Sequence, residues 1–160
     1  MRFAIISDTH DNVPAIRELI KRLKEERVEF VVHAGDIVAP FAMKEFRELG
    51  VKVFFAFGNN DGERKLLTKI AEENGWEIGD VITFPLDEGK GVVYHGTDTR
   101  MVDVLRNSKY KLLVLGHTHE PLIEKLEDKF VVNPGEVCGY LTGNRTYSIF
   151  DDWDISIVEF

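Results

Sequence analysis

Short apolar runs alternate with amphipathic segments through the first two thirds of the chain. Residues 3–6 form the first apolar run. The segment that follows repeats apolar residues at helical spacing, at Val13, Ile16, Leu19, Ile20 and Leu23. Asn12 stands where a helix N-cap is expected, and Pro14 falls in the first turn, where proline is tolerated. This stretch therefore predicts a strand followed by a helix.

The same alternation of strand and helix continues along the chain. Apolar runs predict further strands at residues 30–33, 51–57, 81–84, 92–95 and 112–115. The intervening segments predict helices at residues 41–49, 64–74 and 101–106. Such alternation is typical of a parallel sheet that helices cover on both faces.

The last part of the sequence is rich in strand signals. Strands are expected at residues 122–126, 129–133, 147–150 and 155–159. Asp151 and Asp152 lie between the last two strands, at an expected hairpin turn. We therefore predict an α/β fold with an antiparallel second half, in which two β-sheets pack face to face.

The composition fits one domain with a sizeable core. The chain has 160 residues, of which 44% are hydrophobic, so we expect a single domain over residues 1–160. Acidic residues outnumber basic ones by 28 to 20, which gives a formal charge of −8. Long nucleic acids and anionic membranes bind clustered positive charge, so this balance predicts a small substrate instead.

The sequence also predicts a cytoplasmic protein. The first apolar run reaches Asp8 too soon for a signal peptide, and no later run is long enough to span a bilayer. The single cysteine, Cys138, has no partner for an internal disulfide. We expect its thiol to be a small buried side chain.

Polar residues with metal-binding chemistry recur at the ends of the predicted strands. They are Asp8, His10, Asp36, Asn59, His95, His117 and His119. The carboxyl ends of the strands line the ligand crevice in open α/β sheets. Different strands can therefore deliver these side chains to one place, and this convergence is the main functional signal in the sequence.

Each of these signals has a structural alternative when it is taken singly. Asp8 could cap the first helix, Asp36 could serve a turn, and His95 could be a buried imidazole beside a bend. The pair of His117 and His119 is a stronger signal, because alternate residues on an extended segment share a face. Such a segment can offer two imidazoles together.

Together the candidate ligands favour a transition-metal centre. A mixed set of nitrogen and oxygen donors suits Mn, Fe, Co, Ni or Zn better than Mg or Ca, which prefer oxygen ligands alone. Seven candidates also exceed what one tetrahedral ion needs. Two ions that share a carboxylate would use them all.

The order and spacing of these residues resemble a known family. The motifs are Asp8-x-His10, Gly35-Asp36, Gly58-Asn59-x-Asp61, His95-Gly96 and Gly116-His117-x-His119. They resemble the calcineurin-like metallophosphoesterase family, and the match spans nearly the whole chain. Together with Asn133-Pro134-Gly135, they are similar to its small single-domain bacterial and archaeal phosphodiesterases. The resemblance implies a four-layer α/β/β/α sandwich with two mixed sheets.

The resemblance also implies a role for each candidate ligand. It divides them into two sets that share Asp36, namely Asp8, His10 and His119 for one ion and Asn59, His95 and His117 for the other. The implied cofactors are two divalent ions, manganese first, with nickel, iron, cobalt or zinc as alternatives. The implied reaction is hydrolysis of a phosphodiester by a hydroxide that bridges the two ions, with Asp36 as the catalytic bridge.

One residue departs from the family pattern at a catalytic position. Most catalytic members have histidine after the metal-binding asparagine, whereas this chain has Asn60. A carboxamide can bind a phosphoryl oxygen as a donor, but it cannot give up a proton near neutral pH. We therefore expect Asn60 to bind substrate and take part in catalysis without being an acid, and we expect diesters to be preferred over monoesters.

Three further residues have less certain roles in the sequence. Asp61 lacks its usual histidine partner, so we expect it to cap the helix after Gly62. Asn12 could contact a phosphate, although helix capping is at least as well supported. Glu136 follows the Asn-Pro-Gly motif where relatives often have serine, and it could shape the substrate pocket.

Two alternative functions remain open from the sequence. The same family includes a retromer subunit that acts as a protein-interaction scaffold, but its metal site has degenerated, whereas every candidate ligand is present here. The second alternative is a cyclic-nucleotide phosphodiesterase or a small nuclease. The acidic balance disfavours long DNA or RNA, but it excludes no cyclic nucleotide.

Overall fold

Two β-sheets pack against each other, and helices cover their outer faces. The computed structural model describes residues 1–160. The strands, in chain order, are β1 (Arg2–Ile6), β2 (Phe30–His33), β3 (Lys52–Ala56), β4 (Glu77–Gly79), β5 (Val81–Pro85), β6 (Lys90–Tyr94), β7 (Leu112–Val114), β8 (Pro121–Lys125), β9 (Phe130–Pro134), β10 (Thr146–Asp151) and β11 (Asp154–Glu159). The helices are α1 (Val13–Glu26), α2 (Pro40–Glu45), α3 (Arg64–Glu73) and α4 (Thr99–Arg106), with a 3₁₀ turn at Phe46–Leu49.

Both sheets are mixed. The first has the order β11-β10-β1-β2-β3-β4, in which β1 to β4 are parallel and the β10–β11 hairpin joins antiparallel. The second has the order β5-β6-β7-β9-β8. Its three central strands are parallel, and only the edge strands β5 and β8 pair antiparallel. The antiparallel pairing predicted for the last part of the chain is confirmed in β8–β9 and β10–β11, whereas β9 also pairs parallel to β7. The α4 crossover returns β7 parallel to β6.

Alternation along the strands divides the core into layers. In β1, Phe3 and Ile5 pack between the sheets, whereas Ala4 and Ile6 pack under the helices of the first half. On the outer face of the second sheet, Leu105 of α4 packs against apolar side chains of β6, β7 and β9. The order of layers is helix, sheet, sheet, helix, which confirms the expected α/β/β/α sandwich.

A few elements differ from the expectations. Strand β4 was not predicted, because its three residues include a glutamate and a glycine and give no apolar run. The last hairpin turn lies at Asp152 and Trp153, one residue later than expected, because Asp151 pairs with Asp154. Both turn residues have positive φ, as a two-residue hairpin requires. No helix is both long enough and apolar enough to cross a bilayer.

One aromatic side chain at the centre of the sandwich should contribute strongly to the stability of the fold. The fully buried Phe3 ring stacks between Phe30 and Phe150, with ring centroids 4.5 Å from each. We expect Phe3→Ala to lower the free energy of unfolding by about 3–5 kcal/mol, since it leaves a cavity between the sheets. Phe41→Ala is the matched control, because that ring is 59% exposed. Urea unfolding measures both, and equal losses would contradict the layer assignment.

Candidate metal centre

The seven candidate ligands lie at one edge of the sandwich, where parallel strands of both sheets end. Asp8, Asp36 and Asn59 follow β1, β2 and β3 of the first sheet. In the second sheet, His95 follows β6, and the His117 segment follows β7. These are the carboxyl ends of the strands, as the sequence predicted. The face-to-face packing of the two sheets brings both groups of loops together.

Three candidate ligands form a first set, made of Asp8, His10 and His119. Oδ1 of Asp8 lies 3.2 Å from Nε2 of His119 and 3.5 Å from Nε2 of His10. The two imidazole rings stack, with centroids 5.1 Å apart. One carboxylate oxygen and two imidazole nitrogens therefore lie within 4.8 Å of one another, close enough to bind one metal ion.

Three other candidate ligands form a second set, made of Asn59, His95 and His117. Oδ1 of Asn59 lies 3.0 Å from Nε2 of His95 and 3.1 Å from Nδ1 of His117. Asp36 stands between the two sets. Its Oδ2 lies 3.3 Å from Nε2 of His95 and 3.4 Å from Nε2 of His10. One carboxylate oxygen thus reaches a member of each set.

Two atoms of the first set lack protein partners. Oδ1 of Asp8 and Nε2 of His10 are buried, and neither has a hydrogen-bond partner. Buried polar atoms are nearly always paired, so an orphaned carboxylate oxygen beside an orphaned imidazole nitrogen needs another group. A cation between them satisfies both atoms. The residues present therefore fit a bound metal ion.

The charges in this region favour cation binding. Burial would raise the pKa of Asp8 and Asp36, but the neighbouring imidazoles lower both, that of Asp36 to about 2. The Asp8 carboxylate raises the pKa of His119 to about 9, and Glu136 adds to this effect. Both aspartates are therefore ionised at neutral pH, and a metal ion would take the place of a proton on His119.

The backbone of the site departs from regular structure. Asp8, His10, Asp36, His117 and His119 all have φ between 41° and 71°, in the left-handed region that non-glycine residues rarely adopt. The expected extended segment across His117 and His119 is therefore wrong. The chain turns at both residues, and their imidazoles join different sets. Such conformations cost free energy and persist at functional sites when the surroundings enforce them.

Two glycines allow the candidate ligands to approach the backbone. A Cβ at Gly58 would lie 2.1 Å from Oδ1 of Asp36. A Cβ at Gly116 would lie 2.0 Å from Oγ of Ser7 and 2.9 Å from Oδ2 of Asp8. No side chain fits in either space, so glycine is required by close packing around the two carboxylates.

Asp61 has a different role from the one expected. It does not cap α3, whose N-cap residue is Glu63 and has no side-chain capping bond. Oδ2 of Asp61 instead accepts the N–H groups of Asp36 at 3.0 Å and Gly58 at 2.7 Å, and Oδ1 accepts that of Val38 at 2.6 Å. This buried carboxylate ties the loop after β2 to the loop after β3. The capping interpretation failed because two of these donors, the N–H groups of Asp36 and Val38, are distant from Asp61 in sequence.

Asn60 and Asn12, for which the sequence suggested contacts with substrate, both lie close to the site. Asn60 donates from its backbone N–H to Oδ1 of Asp36 and from Nδ2 to Oδ2, both at 2.9 Å. Asn12 caps α1, which confirms that expectation, and its Nδ2 donates to the carbonyl of Cys138. Both ends of the Asn12 amide therefore bind protein groups, and its contact with phosphate stays a prediction.

His33 is a core histidine. It is fully buried beneath the turn that holds Asp36, and burial lowers its pKa to about 3. Its Nδ1 accepts the N–H of Gly35, and its Nε2 pairs with the hydroxyl of Thr9. The neutral imidazole thus supports the loops that follow β1 and β2.

Glu136 is a supporting residue to which the sequence assigned no definite role. It is fully buried, and its Oε2 contacts Nδ1 of His119. Oε1 accepts hydrogen bonds from the N–H and the hydroxyl of Thr142, at 2.7 and 2.8 Å. Burial opposes ionisation, but His119 and Thr142 lower the pKa of Glu136 to about 2. Buried Cys138 donates its thiol to the same carboxylate, and burial raises the pKa of that thiol to about 12.

A cavity of about 460 Å³ adjoins the loops that hold the histidines. Gly96, Gly116 and Thr118 line it, and each is next to a candidate ligand in the chain. Its apolar wall includes side chains of α4, β8 and β9. Its charged residues are Asp103 and Glu120, with no lysine or arginine. A larger cavity of about 570 Å³ lies at the other end of the sandwich, where β2 and β3 begin. No candidate ligand lines either cavity.

The packing at Gly58 predicts a specific loss of metal binding. In Gly58→Ala the new methyl group would collide with Asp36, whose carboxylate must then move. We expect affinity for Mn²⁺ to fall about tenfold or more, because the displaced carboxylate lies between both ligand sets. Gly62→Ala is the control, since nothing lies within 4 Å of its added Cβ. Isothermal titration calorimetry on metal-stripped protein compares the two, and unchanged affinity in Gly58→Ala would contradict this geometry.

Comparisons with known proteins identify the family of this chain. Residues 1–152 match the model of the calcineurin-like phosphoesterase superfamily domain. A phosphodiesterase of Methanocaldococcus jannaschii is 42% identical over 94% of this chain and 93% of its own length. The solved structure of an archaeal phosphodiesterase superposes with a TM-score of 0.90 at 38% identity over all of both chains. A Vps29 variant from Entamoeba histolytica, 17% identical over 100% of this chain and 99% of its own, shares the fold with a TM-score of 0.74. The chain therefore belongs to the calcineurin-like phosphoesterase superfamily and is a metal-dependent phosphoester hydrolase.

Proposed function

We propose that this protein hydrolyses phosphodiesters at a centre of two metal ions. The observation that carries the proposal is the position of Asp36, whose Oδ2 lies within 3.4 Å of a histidine from each ligand set. A carboxylate between two groups of nitrogen and oxygen donors is suited to bridging two cations. Manganese is our first expectation for the ions, with nickel, iron, cobalt or zinc as alternatives.

The two sets would hold one ion each. Asp8, His10 and His119 would bind the first ion, and the set around Asn59 would bind the second. Divalent ions in these positions would polarise the phosphoryl oxygens and lower the pKa of a water molecule for the attack on phosphorus. The protein prepares this chemistry by keeping both aspartates ionised, because the adjacent imidazoles lower the pKa values of Asp8 and Asp36.

Asn60 supports a preference for diesters. Its two N–H donors bind Asp36, so it holds the central carboxylate in place. Its amide cannot transfer a proton to a leaving alkoxide near neutral pH. A diester with a good leaving group needs less proton donation than a diester with a poor leaving group. The site is therefore better suited to such diesters than to substrates whose hydrolysis requires a general acid.

The adjacent cavity supports the same preference. Its charged lining consists of two carboxylates, Asp103 and Glu120, and no basic side chain faces it. A phosphomonoester brings about one more negative charge to the site than a diester, and nothing in this lining would compensate for that charge. The apolar wall suits an uncharged organic group attached to the phosphorus.

The relatives are consistent with this proposal, since two of them are named phosphodiesterases. The scaffold alternative gains nothing from the likeness to Vps29, which shows the fold alone. The buried, orphaned donor atoms at Asp8 and His10 favour metal binding over a degenerate site. The cytoplasmic location and the small size of the substrate stay predictions, and a cyclic nucleotide remains within the proposed class.

Removing the charge of Asp36 tests the metal-dependent mechanism. In Asp36→Asn we expect kcat for an aryl phosphodiester to fall by about a hundredfold or more, because a neutral amide binds cations more weakly than a carboxylate and is poorly suited to bridging two of them. Bound metal, measured by mass spectrometry, should fall as well. Asp128→Asn is the control, since that side chain is 63% exposed and pairs only with Lys111. Retained turnover in Asp36→Asn at normal metal content would exclude the proposed role.

Restoring an imidazole at position 60 tests the substrate preference. The wild type should hydrolyse an aryl diester with a higher kcat/KM than the corresponding monoester. We expect Asn60→His to raise monoesterase activity by about tenfold or more, because an imidazole can protonate the leaving oxygen. Asn60→Gln controls for loss of the contact with Asp36. Equal or faster turnover of the monoester by the wild type would refute the preference.

A further inference from the structure

Glu136 is a buried side chain whose two oxygens face different parts of the molecule. Oε2 contacts Nδ1 of His119, a candidate ligand of the first set. Oε1 accepts hydrogen bonds from the backbone N–H groups of Leu141 at 3.1 Å and Thr142 at 2.7 Å. One carboxylate therefore joins the candidate ligand after β7 to the loop that follows Cys138.

All the close polar neighbours of this carboxylate are hydrogen-bond donors. The thiol of Cys138 and the hydroxyl of Thr142 donate to it, in addition to the two backbone N–H groups and His119. An ionised carboxylate accepts hydrogen bonds through both oxygens and donates none, so it satisfies the whole shell. A glutamine would turn its NH₂ group toward at least one of these donors, and a serine is two carbon atoms shorter and would leave donors unpaired. The surroundings therefore specify a glutamate.

The His119 imidazole is held between this carboxylate and the metal centre. Nδ1 faces Glu136, whereas Nε2 lies 3.2 Å from Oδ1 of Asp8. A ring that donates its Nδ1–H to a carboxylate keeps the lone pair of Nε2 available for a cation. Rotation of the ring would break the bond to Glu136.

We propose that Glu136 is a positioning residue of the metal centre. It fixes the tautomer and the orientation of His119 and couples that ligand to the loop of residues 138–142. The loop is held at its other end by Asn12, which donates to the carbonyl of Cys138. This inference rests on the proposed function only in that His119 must be a metal ligand.

Calorimetric titration of MnCl₂ into the metal-stripped full-length protein tests the proposal. We expect Glu136→Gln to weaken Mn²⁺ binding by about 10- to 100-fold, as loss of a carboxylate behind a metal-binding histidine does. Glu136→Asp, which keeps the charge but is one methylene shorter, should also bind more weakly and serves as a second variant. Thr142→Val is the matched control. It removes a hydrogen bond to the same carboxylate without touching His119, so its affinity should stay within about threefold of the wild type.

A spectroscopic measurement separates positioning from a general loss of structure. In protein loaded with Zn²⁺, the Nδ1 proton of His119 should give a downfield, slowly exchanging ¹H resonance in the wild type and in Thr142→Val. It should move upfield or vanish in Glu136→Gln, because the charged acceptor is gone.

Three results distinguish the claims. Wild-type affinity in Glu136→Gln would overturn the positioning role and leave the proposed function standing. Equal losses of affinity in Thr142→Val and Glu136→Gln would also overturn it, since the effect would then follow the loop and not the contact with His119. Failure of the wild type itself to bind Mn²⁺ would remove the proposed function, and the role of Glu136 with it.

Discussion

Two ionised carboxylates, Asp8 and Asp36, lie buried where the two sheets meet, and their charge determines what this edge of the molecule can contain. Burial alone would favour their neutral forms. Imidazoles around them reverse that preference, and the first set still has two atoms without partners. A cation is the group that satisfies both the charge and the orphaned atoms. The family to which the chain belongs and the geometry of the site lead to the same chemistry.

The surrounding fold is arranged to hold these carboxylates closely. Gly58 and Gly116 lack side chains where a Cβ would collide with the site, and several candidate ligands have left-handed backbone conformations. Hydrogen bonds to the buried carboxylates of Asp61 and Glu136 stabilise the loops that contain these strained conformations. The first binds three backbone N–H groups across two loops, and the second connects His119 to a third loop. The sheets fix where the ligand-bearing loops begin, and the buried carboxylates of Asp61 and Glu136 hold those loops to one another.

The sequence predicted the features that depend on local signals. Apolar periodicity located β2 at residues 30–33 and the start of α3 at Arg64, and the positions of the candidate ligands after strands predicted one shared edge. The parallel pairing of β7 and β9 was missed, because pairing direction depends on connections that short strands do not reveal. Asp61 was misassigned to a helix cap and Glu136 was left without a definite role. Asp36 and Val38, which bind Asp61, and His119, which contacts Glu136, are distant from these acids in sequence, so only the folded chain shows the contacts.

The central claim is that Asp36 lies between two metal ions. Electron paramagnetic resonance of metal-free protein titrated with Mn²⁺ tests it most directly, because ions that share a carboxylate at about 3.5–4 Å are magnetically coupled. We expect two equivalents of Mn²⁺ to replace the six-line signal of an isolated ion with the broad spectrum of a coupled pair, and we expect Asp36→Asn to abolish this coupled spectrum. An uncoupled signal that saturates at one equivalent would exclude a pair of ions bridged by Asp36.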